Sequence, residues 1–182
     1  MHSSHRYGAH NVARLSVLII AVLVLSGCSG MVTTTPQTRD EFKKEIMNSP
    51  KVGLTESYTS SRRFDDVVRS LEQKWSECYS RSVTTHASQG GMTTMHYTDT
   101  NHPRWQKINN SLVEFTLQQT TQGMTMINKV PPGGEYVVAL NVERLPNNKT
   151  KLTWYSFNVF GSNRASWDRN KKWSDGQNTA CE

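Results

Sequence analysis

Residues 64–78 read FDDVVRSLEQKWSEC and form the most clearly periodic segment of this 182-residue chain. Asp65 and Asp66 fall in the first turn of the segment, where the positive end of a helix dipole favours acidic side chains. Apolar side chains recur at spacings of three and four residues, which is the pattern of one helix face. They are Phe64, Val67, Val68, Leu71, Trp75 and Cys78. The stretch predicts an amphipathic helix with Cys78 at the end of its buried face.

Segments with the strand pattern lie on both sides of this helix. Alternating apolar and polar residues, separated by Gly-rich or Pro-rich turns such as Pro131-Pro132-Gly133-Gly134, are typical of antiparallel strands. The predicted strands cover residues 52–58, 82–87, 92–98, 112–121, 124–130, 136–145 and 152–160. A connection through Trp105 is expected between the third and the fourth.

Two further helices complete the prediction, one at residues 39–47 and one at 162–175 with Gly176 as its stop signal. In the closing helix we expect one face with Ala165, Arg169, Lys172 and Trp173, and Trp167 pointing elsewhere. The predicted fold class is α+β. An antiparallel sheet of about seven strands packs against an early helix and a C-terminal helix.

This order of elements is similar to that of helix-grip, or START-like, domains over residues 52–176. In that architecture the sheet wraps the C-terminal helix, and many members hold an apolar ligand in the space between them. Five aromatic side chains are candidates for lining such a space: Trp154, Tyr155, Phe157, Phe160 and Trp173. Plain packing under the helix is the alternative, because side chains large enough to line a pocket also fill it.

The N-terminal region has the pattern of a secretory signal. A leader with Arg6 and Arg14 precedes an apolar run that ends in Leu25-Ser26-Gly27-Cys28. The run is shorter than the roughly 17–25 apolar residues of a spanning helix. Leu-Ser-Gly followed directly by Cys resembles the lipobox of Gram-negative bacterial lipoproteins. An ordinary signal cut after Gly27 and an uncleaved anchor are the alternatives.

The lipobox resemblance implies how the chain is processed and where it resides. Residues 1–27 would be a lipoprotein signal peptide, and Cys28 would receive a diacylglycerol and an acyl chain such as palmitate. Ser29 would permit export to the cell outer membrane, where the protein is lipid-anchored and its domain faces the periplasm. Residues 28–38 are then the lipidated Cys and a flexible tether, and residues 39–182 a single α+β domain.

The same resemblance bears on the cysteines, which number three. If Cys28 is acylated, Cys78 and Cys181 remain as an even pair in an exported protein. A Cys78–Cys181 disulfide is therefore expected in the oxidising cell envelope. Two free thiols are the alternative.

The remaining sequence offers little sign of catalysis or of nucleic-acid binding. Residues 1–27 hold two Arg and no acidic residue, so the mature chain carries 19 basic against 15 acidic side chains, a mild excess. Neither a Gly-x-Ser-x-Gly motif nor a phosphate-binding loop is present, so no catalytic residue and no cofactor are predicted. His86 and His96 lie on neighbouring predicted strands and could begin a metal site. No carboxylate or cysteine is spaced to complete it, so exposed strand histidines are the favoured interpretation and no metal is predicted.

From these patterns we expect a non-enzymatic interaction or structural module of the cell envelope. It would be held at the membrane by the lipid on Cys28 and would bind another envelope protein in the periplasm. The alternative is a binding or carrier module for a small apolar or lipid-like ligand between sheet and C-terminal helix.

Overall fold

The computed structural model describes residues 35–89, 92–123, 129–158 and 162–181. Within them three helices and six strands follow one another along the chain. The helices are α1 (Arg39–Asn48), α2 (Phe64–Tyr79) and α3 (Ser162–Ser174). The strands are β1 (Gly53–Ser60), β2 (Ser82–Gln89), β3 (Met92–Asn109), β4 (Leu112–Gln122), β5 (Glu135–Arg144) and β6 (Thr150–Phe157). In this part of the chain, no helix has the length and apolarity needed to cross a membrane.

The six strands form one open antiparallel sheet in the order β1-β6-β5-β4-β3-β2. The predicted α+β class, with an antiparallel sheet between an early and a C-terminal helix, is confirmed. One difference from the prediction is that β3 continues without interruption through Trp105 to Asn109. The predicted strand at 124–130 falls largely on residues 124–128, outside the described residues, and residues 129 and 130 are not in a strand.

Pro103 lies inside β3 and is tolerated there because of where β2 ends. The pairing between β2 and β3 stops at Ser82 and Thr100, so residues 101–109 form an edge of the sheet. A proline lacks the N–H that an interior strand would need, and edge positions accept that loss. Pro103 pairs with Leu117 of β4 on its other side.

One face of the sheet carries the main apolar core, on which α2 and α3 pack. The predicted face of α2 is buried except for Val68, which is half-buried, and Trp75 has no exposed surface. The sheet contributes alternate residues of its central strands to the same cluster. These are Val113, Phe115, Leu117, Val138, Leu140, Val142, Leu152 and Trp154.

The opposite face of the sheet carries α1 and a smaller cluster. Phe42 and Ile46, four residues apart on α1, are buried against Ala139. Tyr136 and Phe157 pack around Phe42, with ring centroids 5.8 and 6.0 Å from it. The sheet is therefore covered on both faces near β5 and β6.

The prediction of which side chains share the buried face of the closing helix is wrong. Ala165 and Lys172 are exposed, whereas Trp167 is buried and its ring lies 5.7 Å from that of Trp154. The buried face is formed by Trp167, Asn170, Trp173 and Ser174. A polar Asn170 between two tryptophans hid this face from a count of apolar residues alone.

The C-terminal tail is joined to the end of α2 by a disulfide. Cys78 and Cys181 are bonded, with Cα atoms 5.1 Å apart, which confirms the predicted pair. The bond spans 103 residues of sequence. It ties the tail that follows α3 to the helix against which α3 packs.

Candidate interaction surface

An exposed tryptophan lies between α2 and the edge of the sheet. Trp105 of β3 is directly opposite Phe115 of β4, and the two ring centroids are 6.1 Å apart. Its side chain therefore points to the face of the sheet on which α2 packs. Because β2 ends before this point, Trp105 remains 39% exposed.

Two pockets flank Trp105 along α2 and together form the feature we name the Trp105 groove. The first has a volume of about 260 Å³. It is lined by Phe64, Asp65, Val68, Arg69, Glu72, Trp105, Lys107 and Val113. The second, of about 310 Å³, lies toward the C-terminal end of α2. It is lined by Ser76, Ser80, Asn101, His102, Pro103, Arg104 and Trp105.

The lining of the groove follows from the periods of its two elements. Val68, Glu72 and Ser76 recur every four residues, so they form one stripe of α2 beside its buried face, and Ser80 lies directly after the helix at the end of that stripe. On β3, Pro103, Trp105 and Lys107 alternate onto the same face of the sheet. The groove thus presents an indole with acidic, basic and hydroxyl groups around it.

Ion pairs hold the end of the groove near the start of α2. Arg144 Nη2 donates to Asp65 Oδ1 at 2.9 Å, and the Arg144 guanidinium lies 4.6 Å from the centre of the Phe64 ring. These contacts tie α2 to β5. Both charged side chains are about half exposed, so their contribution to stability is small. Their effect is to orient the groove's polar rim.

A third pocket, of about 470 Å³, lies mainly on the α1 face of the sheet. It is bordered by the Pro-Pro-Gly-Gly turn, which Gln118 holds by donating to the carbonyl oxygens of Pro132 and Gly134 at 3.1 and 2.9 Å. Gly133 has a φ of +89°, and a Cβ there would lie 2.9 Å from Arg104 Nη2. The turn therefore fits closely against β3 and β4 and requires glycine at this position.

Arg39 and Glu114 form a partly buried ion pair at the base of this third pocket. Arg39 donates from Nη1 to Glu114 Oε1 at 2.5 Å and from Nη2 to Asn141 Oδ1 at 2.5 Å. Burial lowers the pKa of Arg39, and the nearby Glu114 carboxylate opposes that change. The two terminal nitrogens of Arg39 attach α1 to the sheet, which is a structural role, whereas its Nε is buried without a hydrogen-bond partner.

The interior between α2 and α3 contains a polar link that sequence reasoning missed. Asn170 accepts a hydrogen bond from Trp75 Nε1 at 2.8 Å and donates one to the Tyr79 hydroxyl at 3.0 Å. Burial raises the pKa of Tyr79 above its usual 10.0. Trp167 donates to Glu56 of β1 at 2.6 Å. These bonds align α2 and α3 over the sheet.

Of the five predicted ligand-lining residues, the four that the structure describes are divided between the two faces of the sheet. Trp154 and Trp173 are fully buried in the main core, whereas Tyr155 and Phe157 pack on the α1 side of the sheet. Phe160 and the lipobox residue Cys28 lie outside the described residues. The groove was not predicted, because Trp105 was assigned to a connection.

The two histidines considered as a metal site are direct cross-strand partners. His86 of β2 pairs with His96 of β3, and their Nδ1 atoms are 2.8 Å apart. His102, farther along β3, is engaged with Thr120 Oγ1 at 2.9 Å. Among the described residues, no group of three or more His, Cys, Asp or Glu side chains is placed to hold a metal ion.

Comparison with known proteins does not assign this chain to a family. No protein-family model matches the chain, and no curated protein matches it. A crystal structure of a hypothetical protein from Helicobacter pylori is 16% identical, with a TM-score of 0.35, over 68% of this chain and 84% of that one. An uncharacterised protein from Rhizobium leguminosarum is 9% identical, with a TM-score of 0.29, over 69% and 95% of the two chains. Neither similarity bears on what this chain does.

Proposed function

We propose that this chain is a lipid-anchored protein of the Gram-negative outer membrane whose domain binds another envelope protein through the Trp105 groove. The anchor part of the proposal rests on the lipobox pattern at residues 25–28 and on the Cys78–Cys181 disulfide, which suits an oxidising compartment. The binding part rests on one observation, the exposed indole of Trp105 between two pockets.

The composition of the groove favours a protein partner. Tryptophan is enriched among the residues that dominate binding energy at protein interfaces. Around Trp105, the side chains of Asp65, Arg69, Glu72 and Lys107 supply the polar, mixed-charge rim that such interfaces have. A small ligand is usually enclosed on most of its surface, whereas this groove lies along the outside of α2.

We expect the partner to dock against side chains and not to extend the sheet. Residues 101–109 present an open strand edge next to the groove. Pro103 removes one backbone donor from that stretch, and Lys107 places a charge on it. Both features disfavour the hydrogen bonding of a further strand to this edge. The partner segment is therefore expected to place an apolar side chain on Trp105 and to meet the rim with polar groups.

The alternative function, a carrier for an apolar ligand between sheet and α3, receives less support. Trp154 and Trp173 have no exposed surface and belong to one continuous apolar cluster with α2. Tyr155 and Phe157 lie on the other face of the sheet. A ligand in that space would have to displace packed tryptophan rings, which is costly in a close-packed interior.

The anchor is tested by metabolic labelling of cells with radioactive palmitate. The natural chain is expected to carry the label and to sediment with outer membranes, because acyl chains on Cys28 hold it there. Cys28→Ala is expected to abolish both, while Cys181→Ala, which leaves the lipobox unchanged, retains the label. Label on the Cys28→Ala chain, or a natural chain without label, would refute the anchor.

The groove is tested by placing a photo-crosslinking amino acid at position 69, on the rim of the groove and with Trp105 kept in place, in living cells. We expect a discrete crosslinked band whose second component is an envelope protein. Met47, which is exposed on α1, provides the matched control position and is expected to give no such band. Equal crosslinking at both positions would contradict a specific groove. So would recovery of the same partner by a Trp105→Ala chain at natural yield.

A further inference from the structure

His86 and His96 form a paired donor set on the β2–β3 hairpin. They are direct cross-strand partners, their ring centroids are 4.4 Å apart, and the two Nδ1 atoms approach to 2.8 Å. Both side chains are exposed, so a solute can reach them. The hairpin brings together two residues that are ten apart in sequence, with the same ring atom of each turned toward the other.

We propose that this pair binds a divalent transition-metal ion through its two Nδ1 atoms, with Cu²⁺ bound most tightly. Imidazole nitrogens bind Zn²⁺ and Cu²⁺ at about 2.0–2.1 Å, so two nitrogens at right angles about one ion lie about 2.9 Å apart. The observed 2.8 Å requires almost no movement to reach that arrangement. Copper is preferred because it has the highest affinity among the first-row divalent ions at such sites.

The hydrogen bond between the two rings is compatible with the binding of a metal ion at the same two atoms. Two ring nitrogens at 2.8 Å share one proton, so one Nδ1 donates and the other accepts. When the ion binds, the donating ring releases its Nδ1 proton to water and takes up a proton from water at Nε2. Both rings then carry their hydrogen on Nε2, and each Nδ1 offers a lone pair. No residue has to be oxidised or reduced.

Neighbouring groups hold the two strands in register at this point. Thr84 and Thr98, two residues along each strand on the same side, have their Oγ1 atoms 3.0 Å apart. Gly123, with a φ of +91°, lies so close that a Cβ there would be 2.5 Å from the carbonyl oxygen of His96. The chain directly after β4 therefore passes close beside the backbone of His96. Together with the strand pairing, this packing positions the two imidazoles before an ion arrives, which reduces the entropy cost of binding.

Within the part of the chain that the structure describes, the pair supplies two ligands and the other coordination positions of the ion remain to be filled. Since the described residues provide no third His, Cys, Asp or Glu at the pair, water or a donor from another molecule completes the ion's shell. Closed structural zinc sites have four protein ligands, whereas a site with open positions exchanges its ion readily. The pair is therefore an exchangeable surface site, separate from the Trp105 groove.

The test is a titration of the full chain in detergent with Cu²⁺, followed by electron paramagnetic resonance. We expect the natural chain to show a site with a two-nitrogen imidazole signature whose affinity falls at least about tenfold in both His86→Asn and His96→Asn. His102→Asn, on the same strand and outside the pair, provides the control and is expected to bind as the natural chain does. His2, His5 and His10 are common to all four chains, so only the differences between chains report on the pair.

A measurement without substitutions keeps the test independent of folding. Cu²⁺ is expected to protect His86 and His96, but not His102, from modification by diethyl pyrocarbonate, as read by peptide mass spectrometry. Equal protection of all three, or a copper spectrum that is identical in the natural chain and the His86→Asn, His96→Asn double variant, would overturn the site.

Discussion

The sheet has two halves that share one hydrogen-bonded ladder and differ in what covers them. In the covered half, made of β1, β6, β5 and β4, helices α2 and α3 pack on one face and α1 on the other, and α2 extends from there onto β3 beside Trp105. Its central side chains, such as Leu140 and Trp154, have no exposed surface. In the open half, made of β2 and β3, Val83 is 48% exposed and Trp105 is 39% exposed.

The interactions within the two halves differ in kind. The covered half is joined by apolar contacts and by buried bonds such as that from Trp75 to Asn170. The open half is joined by hydroxyl and imidazole pairs across β2 and β3, of which Thr84–Thr98 and His86–His96 are examples. Because exposed polar pairs contribute little to stability, we infer that the covered half supports the fold. The open half is then free to present side chains to other molecules.

The strongest test of this division compares two tryptophans. Trp75→Ala removes a fully buried ring and leaves the Asn170 side-chain oxygen unpaired, so the free energy of unfolding is expected to fall by about 3–5 kcal/mol. Trp105→Ala removes a ring that solvent already reaches, and we expect a loss of about 1 kcal/mol or less. Urea unfolding followed by circular dichroism measures both.

The comparison of the two tryptophans fails if their losses are similar. A large loss for Trp105→Ala would mean that the groove is part of the core, and its role in binding could not be separated from folding. A small loss for Trp75→Ala would mean that α2 is not the centre of stability. Far-ultraviolet circular dichroism of each variant at 25 °C controls for unfolding before the titration begins.

The second prediction concerns the Cys78–Cys181 disulfide, which belongs wholly to the covered half. The Cys78→Ala, Cys181→Ala double variant is expected to lose about 2–5 kcal/mol in the free energy of unfolding, because an unbridged chain of this loop length gains entropy when it unfolds. A reducing agent should lower the stability of the natural chain and leave that of the double variant unchanged. Sensitivity of the double variant to the reductant would contradict the assignment.

The same variant also sharpens the comparison between the halves. Copper binding by His86 and His96 depends on the pairing of β2 with β3, to which the disulfide contributes no contact. Under conditions where the double variant remains folded, its Cu²⁺ affinity is therefore expected to equal that of the natural chain. A loss of affinity would show that the two halves are coupled.

The covered half could be predicted from sequence because its elements obey simple periods. The three- and four-residue spacing from Phe64 to Cys78 identified α2 and nearly all of its buried face. The alternation of side chains along a strand also carried information that the prediction of the ligand-lining residues did not use. Trp154 and Tyr155 are neighbours in a strand, so they must point to opposite faces and cannot line one pocket.

The open half could not be predicted in the same way because its features depend on where strands end. The segment through Trp105 was predicted to be a connection, yet it is part of strand β3. Pro103 in this segment lies on an edge of the sheet, where the missing N–H of proline is tolerated. The register of His86 with His96 depends on a turn and on an irregularity between Ala87 and Ser88, which residue types alone do not fix. Asn170 was passed over because polar residues are seldom counted as part of a helix's buried face.

The smallest of the three effects tests the polar link inside the covered half. Tyr79 is almost fully buried, its hydroxyl accepts a hydrogen bond from Asn170 at 3.0 Å, and burial raises its pKa above 10.0. A raised pKa means that the fold favours the neutral phenol. Its contribution to stability is therefore complete below pH 10 and is lost as the pH rises through the folded-state pKa.

Tyr79→Phe is expected to lower the free energy of unfolding by about 1 kcal/mol at pH 7, because the Asn170 amide loses its acceptor. The natural chain alone should then lose stability from Tyr79 ionisation at alkaline pH, so the difference between the two chains shrinks above pH 10. Tyr97→Phe in β3 controls for the loss of a phenol from the open half. A difference that stays constant from pH 7 to pH 11 would mean that the Tyr79 hydroxyl is solvated in the folded chain, and that the interior between α2 and α3 is less closed than the division into two halves requires.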